Sequence, residues 1–219
     1  MLVENNAPNF IFKNKLGEDY YEVLWYILEN GEIYVSEREQ PYLEAEPITI
    51  TVIEPVMDKP SKVLPQYVIQ RWGEQFIFDY ATRVAWCIKE PGMWSYSYGE
   101  RLAYKNQIEN IIKKLKNNPD TRQATAVLYR PEDTSNPEPP CWCIIDFKIR
   151  NGKLRTFAWL RSNDMENGYP PDYYAILMLS FRVSEELRVK IGRITTRSES
   201  AHIYIRTNLK NLRIQSEFE

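Results

Sequence analysis

The sequence predicts a mixed α/β fold, and three stretches carry that expectation. Residues 143–150 (Cys-Ile-Ile-Asp-Phe-Lys-Ile-Arg) and 153–160 (Lys-Leu-Arg-Thr-Phe-Ala-Trp-Leu) are rich in β-branched and aromatic side chains. They flank Asn151-Gly152, a dipeptide suited to a type I′ turn because both positions need φ > 0, and so read as an antiparallel hairpin. Within 101–117, Ile108, Ile111, Ile112 and Leu115 recur at the spacing of one helix face. Residues 171–186 carry apolar side chains on more than one face (Tyr174, Ile176, Leu177, Met178, Leu179, Phe181), the pattern of a buried central helix, and Pro170-Pro171 suits its first turn. At 219 residues with 43% apolar side chains, the chain is long enough to bury a real core as a single domain, 1–219.

The remaining elements follow in order. Residues 1–16 read as an arm or short strand. Residues 18–30 have helical spacing through Tyr21, Leu24, Trp25 and Leu28, and Gly31 supplies the stop. Residues 36–39 (Ser-Glu-Arg-Glu) form a polar loop, 48–53 alternate as a strand, and 55–62 are loop. Residues 64–86 are apolar on several sides, which predicts a buried helix broken near Gly73. Glu90-Pro91-Gly92 is a turn. Lys113, Lys114 and Lys116 complement the C-terminal end of the 101–117 helix. Residues 122–129 read as a strand, and 130–140, with four prolines, as a loop that delivers Cys141. Residues 189–196 and 200–204 are final strands.

Bulk properties narrow the function. A formal net charge of −2 gives no reason to expect nucleic-acid binding, although local basic side chains can hold a phosphate. The sequence holds no 18-residue apolar run, so no transmembrane helix is expected, and the N-terminus lacks a basic region followed by an apolar one. A cytoplasmic protein is expected. Cys87, Cys141 and Cys143 are an odd number and give no disulfide framework. A zinc site needs about four ligands, and one histidine among three cysteines does not supply a set, so no metal is expected. The hairpin has a chemical consequence. It brings its outer ends together, so Cys141 at the entrance becomes a neighbour of Arg161 at the exit. A cation beside a thiol favours the thiolate, the nucleophilic form.

The segments around that hairpin resemble thymidylate synthase and its sister enzymes, the pyrimidine nucleotide hydroxymethylases. The resemblance is carried by Tyr98-Gly99-Glu100-Arg101-Leu102, by Leu115-Lys116-Asn117-Asn118-Pro119-Asp120-Thr121-Arg122-Gln123, by Pro139-Pro140-Cys141 and by Gly152-Lys153-Leu154. It continues through Arg161-Ser162-Asn163-Asp164 with Gly168 and Pro170, and through His202-Ile203-Tyr204. These stand in the family's order at close to its spacing. The fold implied is a large mixed β-sheet flanked by helices, paired through the sheet face as a homodimer, here with a shortened C-terminus. The co-substrate implied is 5,10-methylenetetrahydrofolate or a related reduced pterin, and the acceptor a pyrimidine nucleoside monophosphate.

The resemblance also implies roles. Cys141 is the nucleophile that adds to C6, turning C5 into a carbon nucleophilic enough to take up a one-carbon unit. Arg161 and Ser162 bind the phosphate, joined by Arg38 from the loop after the first helix and by Arg122, which reaches across the dimer. The family has two successive arginines there, and Gln123 replaces the second. Tyr98 assists proton removal at C5. The family's proton-transferring glutamate falls at Glu74, with Asp79 as runner-up. Asp164 supports pyrimidine and cofactor, Trp86, Trp94 and Gly168 line the folate site, and His202 and Tyr204 bind the sugar. Uracil-using members carry asparagine where this chain has Asp172. A carboxyl accepts from the amino group of cytosine and mismatches uracil, so Asp172 implies a (deoxy)cytidylate 5-hydroxymethylase. The alternatives are a short thymidylate synthase acting on deoxyuridylate and a catalytically silent nucleotide- or RNA-binding relative.

Overall fold

The structure is a computed structural model that describes residues 7–89 and 96–205. Its centre is the hairpin of β6 (Trp142–Arg150) and β7 (Lys153–Asp164), joined at Asn151 (φ 53) and Gly152 (φ 69), both on the positive-φ side that the turn requires. Parallel neighbours need a long crossover, and the 19-residue helix α7 (Tyr169–Leu187) supplies it between β7 and the 15-residue β8 (Lys190–Tyr204). β4 (Ile48–Val52) runs antiparallel to β8, and β1 (Asn9–Phe12) runs parallel to β4. On the far side β5 (Thr125–Val127) pairs with β6. β3 (Pro41–Ala45) pairs with residues 201–204 of β8 and carries β2 (Glu32–Val35) on its outer edge. Among the described residues this makes one mixed sheet of eight strands.

Alternation along the strands sends Ile145, Phe147, Leu154, Ala158, Leu160 and Ile194 into the core. The opposite side of β7 and β8, with Phe157, Trp159, Thr195 and Arg197, is only half-buried. α7 is the buried helix that the sequence predicts, with Tyr173, Tyr174, Ala175, Ile176, Leu177 and Leu179 excluded from solvent. α1 (Tyr21–Asn30) ends where expected. Gly31 has extended rather than left-handed backbone, and a Cβ there would lie 2.6 Å from the Ile27 carbonyl oxygen. The apolar stretch after residue 64 divides as expected into α3 (Gln66–Trp72) and α4 (Glu74–Ala85), broken at Gly73 with φ 79.

Four elements differ from the sequence reading. A single turn of helix, α2 (Pro60–Val63), interrupts the loop expected over 55–62. The helix expected over 101–117 is two, α5 (Tyr98–Ala103) and α6 (Gln107–Asn117), because Lys105 and Asn106 take positive φ. The Gln107 side chain bonds both the amide and the carbonyl of Val127, which ties α6 to β5 and fixes that break. The two final strands are one, since β4 and β3 follow each other along the same edge of β8. The β2–β3 hairpin has no counterpart in the sequence reading. The turn expected at 90–92 lies outside the described residues.

Candidate active site

Cys141 stands immediately before β6, and Arg161 is opposite it on β7, where the Arg161 amide donates to the Cys141 carbonyl at 2.9 Å. The hairpin therefore joins the two as its register predicts. The Arg161 guanidinium donates to the carbonyls of Pro139 (2.8 Å) and Pro140 (3.1 Å), so it pins the loop that presents the cysteine. A second arginine anchors the start of that loop. Arg101 makes a buried bidentate pair with Asp133 at 2.7 Å, and the Asp133 carboxylate also receives the Arg130 amide. Burial pushes the Asp133 carboxyl up, but the Arg101 and Arg130 donors outweigh it and its pKa is lowered.

The thiol itself is held protonated. Burial raises its pKa to about 11, the Arg161 charge and a Tyr98 hydrogen bond oppose this, and Asp172 reinforces it. Burial likewise raises Tyr96 to about 12 and Tyr98 well above the ordinary phenol value. Tyr98 stacks on Trp142 with centroids 4.1 Å apart. The Trp142 indole donates to Asp172 Oδ2 at 2.9 Å, and the Tyr80 phenol donates to Asp172 Oδ1 at 2.6 Å. Burial raises the Asp172 carboxyl to about 6, while the Tyr80 and Trp142 hydrogen bonds favour its charged form. Asn163 is itself buried, and its Nδ2 completes no hydrogen bond among the described residues. One cysteine, one carboxyl and three phenols thus lie together in one largely buried group.

The adjoining wall is the turn between β7 and α7. Asp164 Oδ1 accepts the amides of Glu166 and Asn167, each at 3.1 Å. Three aromatic donors hold the same turn from outside: Tyr20 on Met165 O (2.6 Å), Tyr67 on Glu166 O (2.9 Å) and Trp72 on Asn167 O (3.0 Å). Gly168 closes it, and a Cβ there would meet Asp164 O at 3.2 Å and Asn163 Oδ1 at 3.3 Å. Register then sets Asp164 beside His202 and Ser162 beside Ser200 on β8. His202 is buried, edge-on to Tyr42 and Tyr204; burial and then the Asp164 charge raise the Tyr204 phenol, and Arg38 opposes them. Arg38, at the tip of the β2–β3 hairpin, pairs with Glu138 three residues ahead of Cys141.

Not every expected residue joins this group. Glu74 takes a hydrogen bond from Ser61 at 2.9 Å, and among the described residues no hydrogen bond joins it to Cys141 or Asp172. Asp79 is exposed and accepts from Gln75 at 2.8 Å. Tyr80, about 9 Å beyond Glu74 along the helix axis, is the α4 side chain that reaches Asp172. Its sequence signal is weak, a phenol on a mostly apolar helix. Arg122 is exposed and lies with Asp120 and Gln123 near the turn end of the hairpin, where Phe147 bonds Ala124 and Arg150 bonds Asp120. That is about 20 Å of strand from the chain's own Cys141. Trp86 is 54% exposed at the end of α4, and Trp94 lies outside the described residues. Among the described residues no helix is long and apolar enough to cross a membrane, and no cluster of ligating side chains could hold a metal ion.

Comparison with known proteins gives this geometry a context. The model of the family described as thymidylate synthase matches residues 61–217. Proteins named "Putative thymidylate synthase" from Methanosarcina barkeri and Methanosarcina mazei are 32% and 33% identical over 194 and 196 residues, covering 86% of this chain and 86% of each relative. The deoxyuridylate hydroxymethyltransferase of Bacillus phage SP01 is 25% identical over 218 residues, covering 85% of this chain and 56% of that protein. The crystal structure of thymidylate synthase from T4 phage superposes with a TM-score of 0.69 at 16% identity, covering 90% of this chain and 80% of that one, which shows a shared fold. With the family model spanning well over half of the sequence, the chain belongs to the thymidylate synthase family, enzymes that transfer one carbon to a pyrimidine with methylenetetrahydrofolate as co-substrate.

Proposed function

We propose that the chain is a deoxycytidylate 5-hydroxymethylase. The observation that carries this reading is Asp172, a carboxyl held by Tyr80 and Trp142 beside Cys141, where uracil-using members have asparagine. A carboxylate only accepts hydrogen bonds. It takes the amino hydrogen at C4 of cytosine and opposes the O4 of uracil, and a buried mispaired group costs about 1–3 kcal/mol.

Cys141 adds to C6 of the nucleotide. Its thiol is protonated in the free protein, so the proton leaves as the bond forms. That proton passes to solvent, which leaves Asp172 charged to meet the base. Arg161, Ser162 and Arg38 bind the phosphate, and Arg38 exchanges Glu138 for it. His202 and Tyr204 hold the sugar. Methylenetetrahydrofolate, when bound, supplies the one-carbon unit at the formaldehyde level. Asp164 and Gly168 form the wall beside it, and the exposed ring of Trp86 offers a stacking face. Tyr98 helps remove the C5 proton, water adds to the exocyclic methylene, and Cys141 is expelled, so that nucleotide, folate and water give hydroxymethyl nucleotide and tetrahydrofolate. Arg122 is too far along the hairpin to serve its own Cys141. It serves a partner's site in a homodimer formed through the half-buried face of β7 and β8. The protein is expected in the cytoplasm, acting on free nucleotides rather than on nucleic acid or at a membrane.

One observation favours a second reading, action on deoxyuridylate. The phage relative is named for that nucleotide, and the archaeal relatives bear the name of thymidylate synthases. Release of tritium from C5-tritiated nucleotide separates the two. Release from deoxycytidylate alone, with tetrahydrofolate recovered and with no release by Cys141→Ala, supports hydroxymethylation. Release from deoxyuridylate with dihydrofolate formed overturns it.

A further inference from the structure

Two phenols of this group, Tyr80 and Tyr96, belong to no motif of the sequence, and Tyr80 is the one bonded to the carboxyl. Tyr80 donates to Asp172 Oδ1 from α4, and Trp142 donates to Oδ2 from β6. The two donors come from different elements and grip opposite oxygens of one carboxylate, which fixes the carboxyl plane. A carboxylate has about four acceptor sites, so each oxygen keeps one for a ligand. Two donors on one carboxyl favour its charged form, which only accepts.

We propose that Tyr80 is the positioning residue for base recognition: its hydroxyl holds Asp172 as a fixed acceptor toward the 3,4 edge of the bound pyrimidine, and so selects a base that offers an amino group there. This rests on reading Asp172 as the residue that meets the base. Loss of the Tyr80 hydroxyl frees the carboxyl to rotate and to keep a proton, and a protonated Asp172 donates to O4 of uracil. The titratable groups facing Asp172 are Tyr80 from α4, Tyr96 and Tyr98 from the entry to α5, Cys141 ahead of β6, and Tyr169 from α7 itself. Burial raises every one of them above its ordinary value, so between pH 5 and 8 Asp172 is the one member of this group that changes charge.

The test compares wild type with Tyr80→Phe, which keeps the ring and removes only the hydroxyl. Equilibrium binding of deoxycytidylate and of deoxyuridylate is followed by tryptophan fluorescence from pH 5 to 8.5, and C5 tritium release is measured in parallel. In the variant the pH midpoint of the deoxycytidylate binding profile is expected to rise, because the charged form of Asp172 loses a donor. The preference for deoxycytidylate over deoxyuridylate is expected to fall about tenfold, the scale of one hydrogen bond to a charged group. An unchanged pH midpoint with both nucleotides weakened alike would make Tyr80 a packing residue and overturn the inference. If wild type binds deoxycytidylate yet releases tritium from neither nucleotide, the hydroxymethylase reading fails, while the binding midpoints still decide the role of Tyr80. If wild type binds no deoxycytidylate, the inference falls as well.

Discussion

Replacing Asp172 with asparagine is expected to change both substrate choice and stability, in ways that can be separated. Asparagine restores a donor toward O4 and an acceptor toward the N3 hydrogen of uracil, and turned that way it no longer accepts from the C4 amino group of cytosine. At about 1–3 kcal/mol for a mispaired buried group, kcat/KM for deoxycytidylate should fall about 5- to 150-fold, with a gain for deoxyuridylate. The stability effect follows from the carboxyl. Its rise from about 3.9 in an unfolded chain to about 6 in the cleft means that the folded protein prefers the neutral acid by about 3 kcal/mol. Below about pH 4 both states are protonated and nothing is lost. As pH rises from there through 6 the penalty accumulates, and above 6 it is fully present. The amide of the substituted side chain carries no such charge. The variant's stability relative to wild type should therefore climb between pH 4 and 6 and level off above, by at most about 3 kcal/mol, or about 6–12 °C in Tm. Melting curves at pH 4, 6 and 8 with tritium release from both nucleotides make the assay. A Tm difference that is flat with pH would refute the account of Asp172 as a group destabilised by its charge.

Three further outcomes are expected. Glu138→Gln should free Arg38 and tighten nucleotide binding by less than about fivefold, because the pair is half-exposed. The gain should vanish in high salt, and a gain that survives salt would disprove the exchange of Glu138 for phosphate. Arg161→Met should slow alkylation of Cys141 at pH 8 by about tenfold or more, since the guanidinium opposes the burial that raises the thiol. Mass mapping of the labelled peptide reads this, and unchanged alkylation would exclude the charge effect. Gly99→Ala should lower Tm by several degrees. The added Cβ would sit 2.5 Å from the Arg83 carbonyl oxygen and 2.6 Å from that of Ile88, and overpacking against backbone costs about 1–3 kcal/mol. An unchanged melt would mean that the α4–α5 junction yields easily.

The division between what the chain states locally and what it leaves to the fold is sharp at particular residues. The hairpin at Asn151-Gly152 is legible because its two positive φ angles are a property of the dipeptide. The break at Gly73 is legible for the same reason. α7 reads as buried because its apolar side chains surround the axis. The break at Lys105 and Asn106 is not legible, since most side chains resist positive φ and the bonds of Gln107 to Val127 and Arg101 and of Asn110 to Lys105 hold it. β2 is equally hidden. All four of its residues are exposed, so no buried face imposes alternation on the sequence.

By itself, the sequence determined the neighbours at the hairpin mouth: once β6 and β7 pair, Cys141 must lie against Arg161, and the matched motifs around them point to the family. Only the tertiary structure decided what that cysteine's surroundings are. Burial, a long-range property, sets the thiol at about 11 and Asp172 at about 6. Helix packing brings Tyr80, 92 residues away from Asp172 in sequence, onto its carboxylate, and leaves Glu74 on Ser61 instead. Local pattern fixes backbone conformation because it acts over a few bonds. The charge state and partners of a buried group depend on everything that surrounds it, and the sequence brings those residues together only when the whole chain has folded.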